Sequence, residues 1–421
     1  MKAFVRSFVI FIVVFLTVFL VGWYQAIASD PGDLDITFGT DGFVVTDFGD
    51  FDVAVDVETQ IDGKIVVSGG MFGSPSNFAV ARYHSDGSLD PTFGGSGIVT
   101  TTLSAVDYGR ELALQSDGKI IVSGSSEVNG NKDFALVRYN SDGSLDSSFD
   151  GDGVVITSIS GSADEIWGIA LQSDGKIVVS GDSDGGVTIA RYNSDGSLDA
   201  SFGSGGIIAI PVGQGDGNAV RIQSDGKIVV AGQFAVIRLN ADGSLDTTFD
   251  SDGIAMIPTG DEAVWAWDLC LLPDGRIMAV GFRYKTSVDY DIAAVRFNSD
   301  GSLDNTFGIN GTIAFDLAST FAEGLAVARH SGNKVLIGGY DNGSPTIIRL
   351  NEDGSLDTTF SDDGIIMTNS ASRWHGLTVQ SNGKILAAGY GGAGNDFVTA
   401  RFEGFLPELD EFIFLPVVVK P

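Results

Sequence analysis

The sequence predicts an all-β protein, a seven-bladed β-propeller built from four-stranded antiparallel blades. The main observation is that one unit of roughly 50 residues recurs seven times. Each unit offers four short apolar or β-branched runs separated by glycine and aspartate turns, such as "RELALQ", "KIIVSG", "FALVRY" and "GVVITSI". The 57 glycines among 421 residues agree with many turns. Radial repetition of such units leaves no long exposed sheet edge.

The first recurring feature of the unit is a tight Asp-Gly turn followed by a basic residue, as in "SDGKIIVSG" from Ser116. Asp-Gly pairs suit turns because glycine adopts positive φ and aspartate caps its own backbone. The turn therefore separates the first and second strands of a blade. Its basic residue recurs in every unit, at Lys64, Lys119, Lys176, Lys227, Arg276, Lys334 and Lys384.

The second and third features are an arginine that ends an apolar run and a Leu-Asp-x-x-Phe-x-x-x-Gly loop. The arginines are Arg82, Arg138, Arg191, Arg238, Arg296, Arg349 and Arg401. The loop aspartates are Asp35, Asp90, Asp146, Asp199, Asp246, Asp304 and Asp357, and the phenylalanines are Phe38, Phe93, Phe149, Phe202, Phe249, Phe307 and Phe360. The phenylalanines are expected to be buried plugs.

Six of the arginines precede a loop aspartate by eight residues, as in Arg82 with Asp90 and Arg138 with Asp146. This spacing predicts a charge-assisted hydrogen bond that pins strand to loop. Arg401 has no aspartate eight residues later, so its predicted partner is Asp35 from the other end of the chain, with Asp410 as the rival.

The two ends of the repeat array predict how the ring closes. The array starts with one loop and one strand, while its last unit supplies three runs and stops at Phe402. The segment 42–47 is therefore expected to pair as the outer strand of the blade built from residues 374–402. A solenoid fits the same period but requires distinct terminal caps.

These units, typified by "ALQSDGKIVVSG" and "FALVRYNSDGSLDSSF", resemble the delta-60 repeat family, a bacterial secreted β-propeller repeat related in pattern to NHL-type propellers. The resemblance covers roughly residues 33–402. It implies a propeller fold and carries no shared activity or catalytic motif to this chain.

The first 28 residues read as a secretory signal peptide. Lys2 and Arg6 precede an apolar run, and Ala26 and Ala28 have the spacing of a peptidase site, so cleavage is predicted after Ala28. The alternative is an uncleaved N-terminal membrane anchor. The expected domains are the signal peptide at 1–28, the propeller at 29–402 and an apolar tail at 403–421, which either docks on the propeller or serves as a sorting signal.

Charge and cysteine content limit the function classes. After signal removal, 22 basic residues face 55 acidic ones, which repels nucleic acid and anionic membranes. The single cysteine, Cys270, excludes an intramolecular disulfide framework and is interpreted as a small buried residue. A secreted, extracytoplasmic protein, monomeric and without membrane insertion once the signal is cleaved, is expected.

The loops divide into two faces. The Asp-Gly turns and Leu-Asp loops are nearly identical in all units and form a constant face. The remaining turns and the blade-to-blade links vary in length and form an irregular face, which usually marks binding in repeat proteins. The predicted ligand-binding residues on it are Tyr108, Arg110, Glu165, Trp167, Trp265, Trp267, Arg373, Trp374 and His375. The four tryptophans lie in the blade-to-blade links, and in the alternative interpretation their rings wedge between adjacent blades.

The predicted function is a non-catalytic scaffold that binds a glycan or peptide through the irregular face. One alternative is a metal-dependent hydrolase or lyase of the lactonase-like propeller type, with ligands drawn at the channel mouth from Asp164, Glu165, Asp261, Glu262, Glu323 and His375. A structural envelope component is the second alternative. No nucleophile elbow or phosphate loop occurs.

The stretch "NSDGSLDSSFDGDG" from Asn140 resembles a calcium loop in composition. Its Asp150 and Asp152 are replaced by "GGSG", "GSGG" and "GING" in three other units, so the stretch is interpreted as a turn. No cofactor is predicted, and Ca²⁺ stays an option only in the blades with "FDGDG", "FDSDG" or "FSDDG".

Overall fold

The predicted propeller is confirmed. A computed structural model describes residues 30–212, 216–258, 264–286, 289–317, 320–369, 371–392 and 394–405. The described residues form 28 strands in seven sheets, each of four antiparallel strands. The predicted signal peptide and most of the apolar tail lie outside the described residues. Among the described residues, no helix has the length and apolarity that a bilayer crossing requires.

Each blade begins with its innermost strand and ends with its outermost one. Blades 1 to 3 comprise β2 (Asp52–Thr59), β3 (Ile65–Phe72), β4 (Ser76–Tyr83) and β5 (Ile98–Thr101); β6 (Asp107–Leu114), β7 (Ile120–Val128), β8 (Asn131–Tyr139) and β9 (Val154–Thr157); and β10 (Asp164–Leu171), β11 (Ile177–Ser183), β12 (Gly186–Tyr192) and β13 (Ile207–Ile210).

Blades 4 to 6 follow the same order. They comprise β14 (Gly217–Ile222), β15 (Ile228–Gly232), β16 (Ala235–Leu239) and β17 (Ile254–Met256); β18 (Val264–Leu271), β19 (Ile277–Thr286), β20 (Asp289–Phe297) and β21 (Thr312–Phe315); and β22 (Ala322–Arg329), β23 (Val335–Asp341), β24 (Ser344–Leu350) and β25 (Ile365–Met367).

Blade 7 closes the ring by joining the two ends of the described chain. Its three C-terminal strands are β26 (Arg373–Val379), β27 (Ile385–Gly391) and β28 (Asp396–Phe402), and its outer strand is β1 (Phe43–Thr46). Phe43 lies opposite Ala400, and Thr46 lies opposite Phe397. The prediction that the N-terminal strand completes the last blade is therefore confirmed.

The recurring arginine, aspartate, phenylalanine and basic residue form one packed unit per blade. Each arginine Nε donates to its loop aspartate Oδ2 at 2.5–2.8 Å. The basic residue after the Asp-Gly turn approaches the same oxygen, at 2.6–3.9 Å. The loop phenylalanines are fully buried, each beneath the guanidinium of its unit at 4.3–4.7 Å. Every aspartate is thus held by two cations.

The same guanidinium also ties each blade to the next. Arg82 donates through a terminal nitrogen to the Ser141 carbonyl of blade 2 at 2.5 Å, and Arg238 donates to the Ser299 carbonyl at 2.6 Å. Arg401 makes the equivalent bond to the Ser85 carbonyl. Because Arg401 belongs to blade 7, this bond and its bond to Asp35 both lie at the ring closure.

Acidic residues that occur in some of the units form turns on the constant face. Asp152 Oδ1 accepts the Val154 N–H at 2.9 Å, and Asp252 does the same for Ile254.

Cys270 is buried, and burial raises the pKa of its thiol to about 12. The first residues of the predicted tail rest on the propeller, since the Phe405 ring lies 4.3 Å from the His330 ring.

Candidate functional site

The predicted ligand residues lie in the innermost strands. Trp167, Trp265, Trp267 and Trp374 were expected in the blade-to-blade links, but they occupy β10, β18 and β26. Every innermost strand contains a β-bulge that breaks its alternation of apolar and polar residues. The sequence pattern therefore assigned the first residues of these strands to the links, and the links are shorter than it indicated.

One register position in the inner strands forms a ring of side chains at the channel mouth. Tyr108 lies opposite Ser125, Glu165 opposite Asp182, and Trp265 opposite Phe282 in their blades. Glu323 and Arg373 occupy the equivalent positions in blades 6 and 7. The structure therefore assembles sequence-distant residues on the irregular face, as the repeat geometry required.

A charged rim cluster joins blades 2 and 3 on this face; its members are Tyr108, Arg110, Lys132, Glu165 and Trp167. Lys132 Nζ donates to Glu165 Oε1 at 2.6 Å, and Arg110 donates to the other oxygen at 3.5 Å. The Arg110 guanidinium lies 3.9 Å from the Trp167 ring centroid, and Lys132 lies 4.4 Å from that of Tyr108. Carboxylate and ring faces thus hold both cations in place.

An aromatic cluster covers the irregular face from blade 4 to blade 6; its members are Phe234, Trp265, Phe282, Tyr284, Tyr290 and Phe321. Trp265 lies 5.2 Å from Phe234 and 5.4 Å from Tyr284, measured between ring centroids. Tyr290 lies 4.8 Å from Tyr284 and 5.4 Å from Phe321. These are the edge-on separations at which aromatic rings attract one another. Phe321 is 42% exposed, and Phe282 is buried beneath the others.

The local cause of the aromatic cluster is the long hairpin of blade 5. Strand β19 has 10 residues, so it carries Tyr284 beyond the level at which β11 ends in blade 3. Tyr290, near the start of β20, lies opposite Tyr284. Trp267 lies deeper, 6.3 Å from Phe282, with a buried indole nitrogen that has no hydrogen-bond partner among the described residues.

Arg373 and His375 occupy the rim of blade 7. The Arg373 guanidinium lies 4.4 Å from the Tyr340 ring centroid, and His375 stacks on Tyr390 at 5.9 Å. Burial, with Arg373 and Arg110 nearby, lowers the pKa of His375 to about 3. Its imidazole is therefore neutral at physiological pH.

Trp374 requires a correction. It was predicted to contact ligand, but its side chain is fully buried between blades 6 and 7, near Phe402, among residues of the apolar core. The bulge after Trp374 turns its neighbour His375 toward the channel and leaves the indole in the core. The alternative interpretation, a ring wedged between blades, describes this tryptophan.

The central channel contains charged residues that the sequence predictions did not include. A cavity of about 370 Å³ is lined by four carboxylates and one guanidinium, the channel cluster of Asp56, Glu58, Glu111, Arg221 and Asp268. Arg221 donates to Asp268 at 2.8 Å and lies 3.8 Å from Glu111. His375 also lines the cavity, which extends to Thr59 and Leu114 at the ends of their strands.

One guanidinium cannot neutralise four carboxylates, so the channel cluster holds protons at neutral pH. Burial, together with Asp56, raises the pKa of Glu58 to about 7. Burial, with Asp56 and Asp268 adding repulsion against the attraction of Arg221, raises the pKa of Glu111 to about 8. These are the values at which a carboxyl group exchanges a proton near neutrality.

The channel carboxylates also have a structural role. Asp56 accepts the Leu112 N–H of the next blade at 3.0 Å, and Asp268 accepts the Val327 N–H at 2.8 Å. Glu111 makes the same kind of bond to the Ile169 N–H at 3.2 Å. Each bond satisfies a backbone donor just after a neighbouring bulge. The sequence carried one signal of the channel cluster. Glu58 and Arg221 occupy the same register position of their innermost strands, and three other units carry alanine at that position, at Ala113, Ala170 and Ala328.

Two of the residues proposed as metal ligands at the channel mouth, Glu165 and Asp164, make contacts within the protein. Glu165 belongs to the charged rim cluster, and Asp164 is fully buried and accepts the Ile159 and Ser160 N–H groups. Asp261 and Glu262 lie outside the described residues. Within the described ranges, the grouping of three potential ligand residues is Asp47, Asp52 and Asp396, which do not line the channel cavity.

Comparisons with known proteins agree with this architecture. Six segments match a family model described as "Domain of unknown function (DUF5122) beta-propeller", at residues 60–93, 115–149, 172–202, 223–249, 272–307 and 332–360. No curated protein matches the chain.

Solved structures show the same fold at low identity. Virginiamycin B lyase from Staphylococcus aureus is 13% identical, with 86% of this chain and 98% of that chain covered and a TM-score of 0.55. A catalytically inactive form of that lyase with quinupristin is also 13% identical, covering 86% and 99%, with a TM-score of 0.53. "YCF48 bound to D1 peptide" is 11% identical, covering 89% and 97%, with a TM-score of 0.48.

At 13% identity the two lyase structures are similar to this chain in fold alone. The repeats, the closed ring and the six matched segments lead to one assignment: the chain is a β-propeller repeat protein.

Proposed function

We propose that this propeller is a secreted, non-catalytic binding module that takes a glycan or peptide on its irregular face. The observation that carries the proposal is the aromatic cluster, in which rings from three consecutive blades form one contiguous surface over the buried Phe282. Within β-propeller repeats, we also propose the delta-60 family assignment that the units resemble.

The aromatic cluster suits such a ligand because its rings combine a flat apolar face with polar groups at the edge. Sugar rings and peptide side chains stack on such faces, and tyrosine hydroxyls add hydrogen bonds. The rings are already packed together, so little side-chain entropy is lost on binding. The charged rim cluster across the channel mouth offers the Glu165 carboxylate and the Arg110 guanidinium as additional polar contacts.

The proposal is tested with the purified mature protein on glycan and peptide arrays, followed by calorimetry with each hit. Trp265→Ala and Tyr284→Ala are expected to weaken binding by roughly tenfold or more, which is the usual effect of truncating an aromatic hot spot. Ile61→Ala is the control, because Ile61 is fully exposed on the constant face. Equal affinity in all three variants, or no hit on either array, would contradict the proposal.

A second candidate, a lyase-like or hydrolase-like enzyme, is favoured by Glu58 and Glu111. Two carboxyl groups whose pKa values lie near neutrality, in one cavity beside His375, could act as a general acid and base. A screen of lyase and hydrolase substrates with and without a chelator tests this candidate. Turnover that Glu111→Gln abolishes would favour it over the binding module.

Export, monomeric state and extracellular glycan or protein partners belong to the same proposal. The predicted signal peptide at 1–28 supports export, and the net negative charge disfavours nucleic acid. N-terminal sequencing of the exported protein is expected to give Ser29 as the first residue. Retention of Met1 with the membrane fraction would favour the anchored form, and attachment to an envelope fraction would favour the structural role.

A further inference from the structure

The junction between blade 7 and blade 1 holds a group of carboxylates. Asp47 follows β1, Asp396 begins β28, and Asp52 begins β2, so the group spans the ring closure. One oxygen from each of these three residues lies within 4.8 Å of the other two. The ion pairs formed among the described residues include none of the three.

The second observation concerns Asp52, which is fully buried. Its Oδ2 accepts the Phe48 N–H at 2.7 Å, while its Oδ1 is buried and has no hydrogen-bond partner among the described residues. An unpartnered buried carboxylate oxygen carries a large desolvation cost. A partner that the described part of the chain does not supply is therefore needed at this oxygen.

Sister blades show what normally fills that place. Asp107 occupies the same position in blade 2, and its Oδ1 accepts the Ser104 hydroxyl at 2.8 Å and the Ser126 hydroxyl at 2.7 Å. In blade 1, Gly49 and Met71 stand where these serines stand, so both hydroxyl donors are missing.

Blade 3 repeats the pattern of blade 2. Asp164 Oδ1 accepts the Ser160 hydroxyl at 2.8 Å. The blade 1 aspartate has thus lost its hydroxyl partner and faces two further carboxylates instead. Burial, followed by repulsion from Asp47, Asp396 and Asp50, raises the pKa of Asp52 to about 6.

We propose that Asp47, Asp52 and Asp396 bind one Ca²⁺ ion that links blade 7 to blade 1 where the propeller ring closes. Calcium takes only oxygen ligands and tolerates irregular geometry. Oxygens bound to one Ca²⁺ at about 2.4 Å lie at most about 4.8 Å apart, and one oxygen from each of the three aspartates lies within that limit of the other two. The ion supplies the missing partner of Asp52 and cancels the repulsion among three carboxylates.

The test is calorimetry and thermal unfolding of the mature protein at pH 7.5 with CaCl₂, against NaCl of matched ionic strength and against MgCl₂. The expected result is about one Ca²⁺ per chain and a melting temperature that rises with CaCl₂, because the ion binds the folded state alone. Asp396→Asn is expected to weaken calcium binding by roughly tenfold or more, since affinity follows the number of charged ligands.

Two further variants separate a built site from screening of a highly acidic surface. Asp174→Asn with Asp225→Asn removes two carboxylates from exposed Asp-Gly turns of the constant face and is expected to leave calcium binding unchanged. Met71→Ser restores a hydroxyl beside Asp52 and is expected to weaken binding while the apo protein stays folded. Equal calcium responses in wild type and Asp396→Asn, or an equal response to MgCl₂, would overturn the proposal.

Discussion

Arg401 Nε lies 2.5 Å from Asp35 Oδ2, although 366 residues separate them in the chain. Both side chains are buried, and Lys384 Nζ approaches the same carboxylate at 2.6 Å. In the other six blades the equivalent pair is local, with partners eight residues apart. The repeated interaction has thus become a long-range bond that holds the ring closed.

Breaking this pair is expected to destabilise the protein strongly. Arg401→Gln leaves buried Asp35 with Lys384 as its remaining cation beside the Thr37 hydroxyl and N–H, and loss of one member of a buried pair costs about 3 kcal/mol of unfolding free energy. Urea denaturation measures the loss. Lys64→Gln is the control, because Lys64 is partly exposed and such a pair contributes about 1 kcal/mol or less.

A double-mutant cycle with Asp35→Asn isolates the coupling between the two residues. A coupling free energy indistinguishable from zero would contradict the role of Arg401 and Asp35 in closure.

The loop aspartates predict how the propeller responds to acid. Hydrogen bonds and neighbouring cations outweigh burial and hold the pKa values of Asp35, Asp90 and Asp357 well below the ordinary range. A carboxyl whose folded pKa is lowered stabilises the folded state above its unfolded pKa of about 3.9, and this stabilisation is lost as pH falls toward the folded value. The midpoint of urea denaturation should therefore fall steeply below about pH 4. A flat profile from pH 5 to 2.5 would contradict this expectation.

The channel cluster predicts the opposite trend near neutrality. In the folded protein the pKa of Glu111 is raised to about 8, whereas in the unfolded chain it is about 4.5. Between these two pH values the unfolded chain releases the proton more readily than the folded protein does. The free energy of unfolding therefore falls as the pH rises from about 4.5 to about 8. Glu111→Gln keeps an oxygen for the Ile169 N–H and removes this loss. Because one unit of pKa shift corresponds to about 1.4 kcal/mol, the variant should gain up to about 5 kcal/mol over wild type at pH 8.5 and nothing at pH 4.5. Denaturation at both pH values measures the difference, and an equal gain at both would exclude ionisation as the cause.

The scaffold was predictable because its determinants are local and repeated seven times. Asp-Gly turns, the eight-residue spacing from Arg82 to Asp90 and the buried Phe93 each follow from residues close in sequence. The second cation on each aspartate, such as Lys64 on Asp90, was missed because it comes from the preceding turn rather than the same strand. Ring closure was predictable because Arg401 lacked a local partner.

The candidate site was less predictable because it depends on the bulges. Strict alternation would place Trp374 and His375 on opposite sides of β26, but the sequence does not reveal which side faces the channel once a bulge shifts the register. The channel cluster arises from single positions, such as Glu58, where other units carry alanine. A rare charge in one repeat resembles ordinary surface variation until the fold places it in a cavity.

The tryptophans separate stability from binding in the last prediction. Trp374 is fully buried, so Trp374→Ala should cost about 3–5 kcal/mol of unfolding free energy through the cavity it leaves, while the folded fraction keeps its ligand affinity. Trp167→Ala removes the ring under Arg110 on the partly exposed rim, so it should cost less stability and weaken binding of any ligand found on the arrays. Urea denaturation and calorimetry on both variants measure the two effects. A Trp374→Ala protein that is as stable as wild type, or that folds and loses affinity as Trp167→Ala does, would contradict the placement of Trp374 in the core and favour a position at the rim.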